Sequence, residues 1–140
     1  MKNVFQSARE VKLKNTPEQL THVYSNEVFV FGSNESGYHG GGAARLALDF
    51  GAVYHKGVGL YGNTYAIPTK DFNVETLPLV SIKKYVDDFI EFAKNNPDKI
   101  FLVTKIGCGL AGYTVHDIAP LFVNAIGIEN VVLPEEFEKK

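Results

Sequence analysis

The chain has little cysteine, methionine or tryptophan: its 140 residues include one Cys, one Met and no Trp. The single cysteine, Cys108, excludes an internal disulfide and any zinc site built from several cysteines, which fits a reducing compartment. Neither charge dominates, since 14 Lys and Arg against 16 Asp and Glu give a net charge of −2. That balance makes nucleic acid an improbable partner, because affinity for it is built largely on neutralising phosphates.

Long apolar runs are missing as well. No stretch approaches the roughly 20 apolar residues of a transmembrane helix, and the first residues do not resemble a signal peptide. We therefore expect no membrane partner and a cytoplasmic location. The 45 % hydrophobic and 21 % charged residues are typical of a globular protein. The length predicts a single domain over residues 1–140, in which residues 1–26 are poorly patterned.

Glycine is concentrated rather than scattered. Nine of the 13 glycines fall between Gly32 and Gly62, and three more fall between Gly107 and Gly112. They define three loops, which read GSNESGYHGGGAA from Gly32 to Ala44, GVGLYGN from Gly57 to Asn63, and GCGLAGY from Gly107 to Tyr113. Because glycine costs roughly 0.5–1 kcal/mol in regular structure, such clusters indicate backbone that approaches a ligand closely. Tight turns alone are the alternative.

Strands and helices alternate along the chain. Strands are predicted over Glu27–Phe31, over Thr64–Ile67 with Pro68 as its end, over Ile100–Thr104 and over Asn130–Leu133. Helices are predicted over Gly41–Phe50, from a cap at Ser81 through Ala93, and from a Thr114 and Asp117 capping box through Ala125. This order predicts an α/β fold, with one mixed β-sheet between helices and the glycine loops at the carboxyl edge of the strands, where ligands usually bind.

Two of the glycine loops match the dinucleotide pattern G-x-G-x-x-G, at Gly57–Gly62 and at Gly107–Gly112. The first match precedes a strand rather than a helix, and too little chain follows the second to complete a Rossmann half. An NAD-type site is therefore disfavoured. Glycine-rich N–H groups that lead into a helix still attract anions, chiefly phosphate. The first and third loops both do so, and they predict a diphosphate held between them.

The segments FGSN, HGGGAA, YAIPTKD and TKIGCGLAGY resemble macrodomains, the α/β modules that bind ADP-ribose, from roughly Phe29 to Leu133. The resemblance is nearest to the branch of the terminal ADP-ribose protein glycohydrolase. It implies a macrodomain-like fold and, as partner, an ADP-ribose-type nucleotide or an ADP-ribosylated protein. The ligand-binding residues it implies are Gly32, Ser33, Asn34, Gly40, Gly41, Gly42, Ala43, Thr69, Ile106, Gly107, Cys108, Gly109, Leu110, Ala111, Gly112 and Tyr113.

The same resemblance raises the question of catalysis. In the glycohydrolase a lysine after a strand ending in T-K attacks the ribose, and an aspartate after G-C-G-L assists. Thr69 and Lys70 match the lysine position, whereas Ala111 stands at the aspartate position. Loss of such a proton-transfer group typically costs 10²–10⁴ in rate. Asp71 is an alternative base or a partner of Lys70, and His39 is either a proton-transfer group or a loop histidine.

Three functions remain open from the sequence. The first is binding of an ADP-ribosyl nucleotide, and the second adds its hydrolysis by Lys70 or by a water that Asn34 and His39 position. The third is an interaction domain without turnover. No cofactor is expected, and no metal, because the four histidines lack metal-ligand spacing. A Gly109→Val change should block phosphate, by filling its volume and by disfavouring a positive φ.

Overall fold

The computed structural model describes Arg9 and residues 12–138. Within these residues a mixed five-stranded sheet is combined with four α-helices, which confirms the predicted α/β class. The strands are β1 (Glu27–Asn34), β2 (Gly59–Tyr61), β3 (Thr64–Lys70), β4 (Ile100–Val103) and β5 (Val131–Val132), and the helices are α1 (Gly42–Ala47), α2 (Leu79–Lys94), α3 (Val115–Ile118) and α4 (Glu135–Glu138). The predicted domain over 1–140 includes residues 1–8, 10, 11, 139 and 140, which lie outside the described residues.

The strand order is β2-β3-β1-β4-β5. Strand β1 lies in the middle and runs parallel to both β3 and β4, while β5 is parallel to β4 and β2 is antiparallel to β3. The chain therefore leaves β1 on one side and later returns to its other side. This arrangement brings the carboxyl ends of β1, β3 and β4 to one edge of the sheet, the place where open α/β sheets bind ligands.

Both faces of β1 are buried, as its continuous apolar sequence predicts. Val28 and Val30 belong to the core cluster that includes the apolar face of α2. Phe29 and Phe31 belong to the cluster on the opposite face, which includes Ala44 and other residues of α1. Helices on both sides of the sheet therefore shield the central strand from water.

The expected cap of α2 was wrong by three residues. The helix begins at Leu79 with Pro78 as its N-cap, and the N–H groups of Ser81 and Ile82 both donate to the Pro78 carbonyl. Ser81 therefore lies within the first turn. Pro78 has no N–H and a fixed φ, so an extended residue followed by a helix start is a geometry that it adopts readily. The predicted core face is confirmed for five buried residues, Ile82, Val86, Phe89, Ile90 and Ala93, whereas Tyr85 is half-buried.

Pro68 does not end β3, contrary to expectation, because the strand continues to Lys70. The pairing of β1 with β3 shifts register next to this proline: Ser33 faces Pro68, and Asn34 faces Lys70. A proline lacks the N–H of a regular ladder, and such irregular positions are where strands tolerate it. The continuation places Thr69 and Lys70 at the edge of the sheet rather than in a loop.

Two further expectations were altered by tertiary context. The second glycine loop contains β2, which forms a hairpin with β3 through Gly62 and Asn63, and only its first residue, Gly57, packs against the first glycine loop. The helix after Thr114 is α-helical only as α3, and a 3-10 segment at Ala119–Ala125 follows it. Pro120 near the start of that segment cannot donate to an α-helical ladder. None of the helices in the described part of the chain is long and apolar enough to cross a membrane.

Candidate functional site

A cleft of about 500 Å³ lies at the carboxyl ends of β1, β3 and β4. It is bounded by the first glycine loop on one side and by the third glycine loop on the other. Fourteen of the predicted site residues line it: Gly32, Ser33, Asn34, Gly40, Gly41, Gly42, Ala43, Thr69, Lys70, Ile106, Gly107, Gly109, Leu110 and Ala111. The fold thus brings together segments that are far apart in the sequence, and their role in ligand binding stays a prediction.

The first glycine loop is held by the side chain of Asn34. Its Oδ1 accepts hydrogen bonds from Tyr38 N–H and from Ser36 Oγ, each at 2.8 Å, and its Nδ2 donates to the Tyr38 carbonyl. The Ser33 hydroxyl donates to the carbonyl of Gly57, a residue on which a Cβ would collide with the Asn34 carbonyl. These polar groups order the loop itself, whereas the resemblance implies that Asn34 contacts the ribose.

The two glycine loops face each other across the cleft. The Leu110 Cδ1 atom lies 3.7 Å from the positions that a Cβ would take on Gly41 and Gly42. Leu110 is 76 % exposed, so its side chain stands at the mouth of the cleft rather than in the core. On the first loop, the ring of Tyr38 lies directly against Gly40, where a Cβ would meet it at 2.5 Å. The mouth is therefore narrow and partly apolar.

The third glycine loop leaves backbone donors unused. Gly107 has a φ of +75°, and a Cβ there would meet Ile118 at 2.8 Å, so glycine is required at that position. Two hydrogen bonds close the loop, from Tyr113 N–H to the Gly107 carbonyl and from Gly112 N–H to the Gly109 carbonyl. The N–H groups of residues 109–111 donate to no acceptor in the described part of the chain. Free donors of this kind suit an anionic ligand.

Gly109 itself differs from expectation. Its backbone does not adopt a positive φ, and a Cβ on it would have no neighbour within 4 Å. The predicted conformational strain of Gly109→Val was therefore wrong. A side chain at this position would instead extend into open space in a residue that lines the cleft.

Two lysines line the cleft, and their surroundings differ. Lys105 lies 3.1 Å from a carboxylate oxygen of Glu18 and 3.4 Å from one of Glu136, and the hydrogen bond to Glu18 raises its pKa. Lys70 is half-buried, and its ammonium group has no ion-pair or hydrogen-bond partner among the described residues. Within the described residues, Lys70 is therefore the cation of this cleft whose charge no carboxylate offsets.

Two of the predicted proton-transfer residues do not line the cleft. The Asp71 carboxylate accepts hydrogen bonds from the N–H groups of Asn73 and Glu75 and so forms part of a turn. His39 is completely buried, with its Nε2 3.0 Å from the Val53 carbonyl and its ring 5.5 Å from that of Phe31. Both side chains are committed to holding loops in place.

Three predicted ligand-binding residues also lie outside the lining of the cleft. The Cys108 thiol donates to the Ile106 carbonyl and packs against the core, and burial raises its pKa. The Tyr113 hydroxyl donates to the Leu77 carbonyl at 2.7 Å, which ties the end of the third loop to the start of α2. Gly112 has a φ of +91° and serves as the turn of that loop. Cys108 therefore behaves as a packed thiol rather than a reactive one.

Sequence reasoning missed several residues of the cleft. They are Glu18, Tyr38, Ala44, Val74, Thr104 and Lys105. Thr104 and Lys105 could have been found, because Thr104 ends a predicted strand and Lys105 follows it just before a glycine loop. Glu18 carries no such signal, because it lies in the poorly patterned N-terminal segment. The Thr16 hydroxyl in that segment donates a hydrogen bond to the Val132 carbonyl, which is distant in the sequence. In the described part of the chain, no group of three or more His, Cys, Asp or Glu side chains could hold a metal ion.

In comparisons with known proteins, no family model, curated protein or solved structure matches the chain. The described fold and cleft therefore define the protein as one with a mixed α/β sheet and a glycine-lined cleft at its carboxyl edge.

Proposed function

We propose that the protein is macrodomain-like and binds ADP-ribose or a related ADP-ribosyl nucleotide in the cleft, either free or attached to a protein. The observation that carries the proposal is a cleft in which the ammonium group of Lys70 and the N–H groups of residues 109–111 have no partner among the residues that the structure describes. A cation and several free donors in one concave site favour a phosphate-containing ligand. The resemblance of FGSN, HGGGAA and TKIGCGLAGY to macrodomains narrows that ligand to an ADP-ribosyl nucleotide.

The ligand would lie across the edge of the sheet, with its diphosphate between Gly40–Gly42 and Gly107–Gly112. A smaller cavity of about 160 Å³ continues the cleft on the β4 side and shares Ala43, Thr104 and Lys105 with it. Phe29, Leu20, Leu46 and two prolines contribute to its walls. The rest of its lining is polar: Thr16, Glu18, Thr104, Lys105 and Glu136. A cavity with both apolar and polar walls suits a planar base, whose faces are apolar and whose edge carries hydrogen-bonding groups.

Binding is favoured over hydrolysis by the positions of the acidic and basic groups. Ala111 supplies no carboxylate, and the side chains of Asp71 and His39 do not reach the lining of the cleft. A nucleophilic Lys70 would need a proton-transfer partner. Glu18 lines the cleft, but it is paired with Lys105.

The experiment is calorimetric titration of the full chain with ADP-ribose, alongside Gly109→Ala and Gly109→Val. An alanine or valine side chain at position 109 would point into open space, so we expect both variants to fold. Their affinity for ADP-ribose should fall as the side chain grows, by roughly tenfold or more for valine. The melting temperature without ligand should stay within about 2 °C of the unmodified protein. No binding of ADP-ribose by the unmodified chain, or equal affinity for all three proteins, would contradict the proposal.

A further inference from the structure

Val74 has an unusual backbone for its residue type. It is β-branched, yet its φ is +64°, in the left-handed region that β-branched residues avoid. It also lines the cleft, with 41 % of its surface exposed. Strained residues of this kind persist where their surroundings hold them, and they concentrate at ligand-binding sites. A role of the Val74 side chain in ligand binding would explain why the protein keeps this unfavourable backbone conformation.

The loop around Val74 is fixed by polar contacts at both ends. The Asp71 carboxylate accepts the N–H groups of Asn73 and Glu75, each at 2.9 Å. The Thr76 hydroxyl donates to the Ala111 carbonyl at 2.9 Å and so joins this loop to the third glycine loop. Val74 is therefore held at a defined place in the wall of the cleft, and Asp71 acts as the anchor of the loop.

The position of Val74 follows from the order of the strands. Lys70 ends β3 and Val74 follows it, whereas Thr104 and Lys105 follow β4 on the other side of β1. The smaller cavity, which has Phe29 and Leu46 in its wall, lies on the β4 side. With the base in that cavity and the diphosphate between the glycine loops, the terminal ribose falls on the β3 side. A ribose also presents a less polar C–H face, which suits the apolar side chain of Val74.

We propose that Val74 is a specificity-determining residue, whose side chain packs against the terminal ribose and so selects ADP-ribose over ADP. This inference rests on the proposed function. It goes further in that it assigns the discrimination between two nucleotides to one apolar side chain. ADP has the same diphosphate and base but no terminal ribose, so the contact with Val74 is the one expected to differ between the two nucleotides.

The test compares the affinities of Val74→Asn for ADP-ribose and for ADP with those of the unmodified chain. Asparagine tolerates the left-handed region and is polar, so the variant relieves the strain while it removes the apolar contact. We expect its affinity for ADP-ribose to fall about fivefold or more, its affinity for ADP to change less than about twofold, and its melting temperature to rise by about 2–4 °C.

The control is His55→Asn, because His55 also has a positive φ, of 72°, but does not line the cleft. It should leave both affinities unchanged. An unchanged affinity of Val74→Asn for ADP-ribose, or an equal loss for both nucleotides, would overturn the role of Val74 alone. Binding of neither nucleotide by the unmodified chain would overturn the proposed function and this inference with it. Should Val74→Asn not fold, Val74→Gly permits the same comparison.

Discussion

The charged side chains in and beside the cleft differ mainly in whether another group of the protein already pairs with them. Lys105 and Asp71 have protein partners, whereas the ammonium group of Lys70 has none among the described residues. A half-buried charge without a partner is costly, and a bound anion would compensate for it. This difference in environment, rather than proximity to the glycine loops, distinguishes Lys70 as the group that would contact phosphate.

Replacing Lys70 by alanine should lower the affinity for ADP-ribose about tenfold or more, because a hydrogen bond to a charged group contributes roughly 1.5–3 kcal/mol. Titration calorimetry measures the loss, and Lys83→Ala is the control. Lys83 is also a lysine, but it lies on α2 and pairs with Asp87 at 2.9 Å. If Lys70 is instead a nucleophile, binding would persist in Lys70→Ala, and a reducible adduct with the substrate would form on the unmodified protein.

At the scale of elements, the third glycine loop is fixed by the helix that follows it. The Thr114 hydroxyl accepts the Asp117 N–H at 3.2 Å, while the Asp117 carboxylate accepts the Thr114 N–H at 3.1 Å. This confirms the capping box that the sequence predicted. The cap holds the start of α3, whereas hydrogen bonds from Gly112 and Tyr113 close the loop itself.

Thr114→Ala should therefore destabilise the fold by about 1 kcal/mol, as is typical for the loss of an N-cap. Urea unfolding measures this change. Thr21→Ala is a suitable control, because the Thr21 hydroxyl is exposed and makes a long contact of 3.4 Å with Nδ1 of the adjacent His22. The affinity for ADP-ribose should remain unchanged, since the hydrogen bonds that close the loop are retained. Equal stability of the Thr114 and Thr21 variants would show that the cap contributes nothing measurable.

At the scale of the whole molecule, two tyrosines link stability to alkaline pH. The hydrogen bond to Glu35 raises the pKa of Tyr85 to about 12, and burial raises the pKa of Tyr65 to about 12. Both phenols favour the neutral form in the folded state. Between pH 10, the ordinary pKa of tyrosine, and pH 12, the folded protein therefore binds more protons than the unfolded chain. Their contribution to stability is complete below pH 10 and is lost as the pH rises.

We expect the free energy of unfolding to fall steadily between pH 10 and 12, as followed by urea unfolding at a series of pH values. The Tyr85→Phe variant should show a shallower fall, because one of the two linked protons is gone. It should also be less stable near neutrality, where it lacks the 2.6 Å hydrogen bond to Glu35. A slope identical to that of the unmodified protein would refute the linkage through Tyr85.

Much of the fold followed from local sequence patterns. The apolar part of β1 at Glu27–Phe31, the core face of α2 and the capping box of α3 were predicted because each depends on residues within a few positions of one another. The strand does not end at Gly32 as predicted but continues to Asn34, because these residues pair with β3. The glycine positions likewise indicated which segments approach each other. The tendency of a side chain to be buried and the backbone freedom of glycine depend on residue type, so both can be read directly from the sequence.

The site required the tertiary structure, because its chemistry depends on partners that are distant in the chain. Glu18 and Glu136 neutralise Lys105 from opposite ends of the described chain, and no local pattern announces either contact. Asp71 follows Lys70 directly, yet its carboxylate is used by a turn. Adjacency in the sequence therefore did not show that Asp71 lies outside the lining of the cleft, and it gave no sign of Val74. The sequence determined which backbones could approach a ligand; only the packing of the strands decided which charges and side chains were left free to contact it.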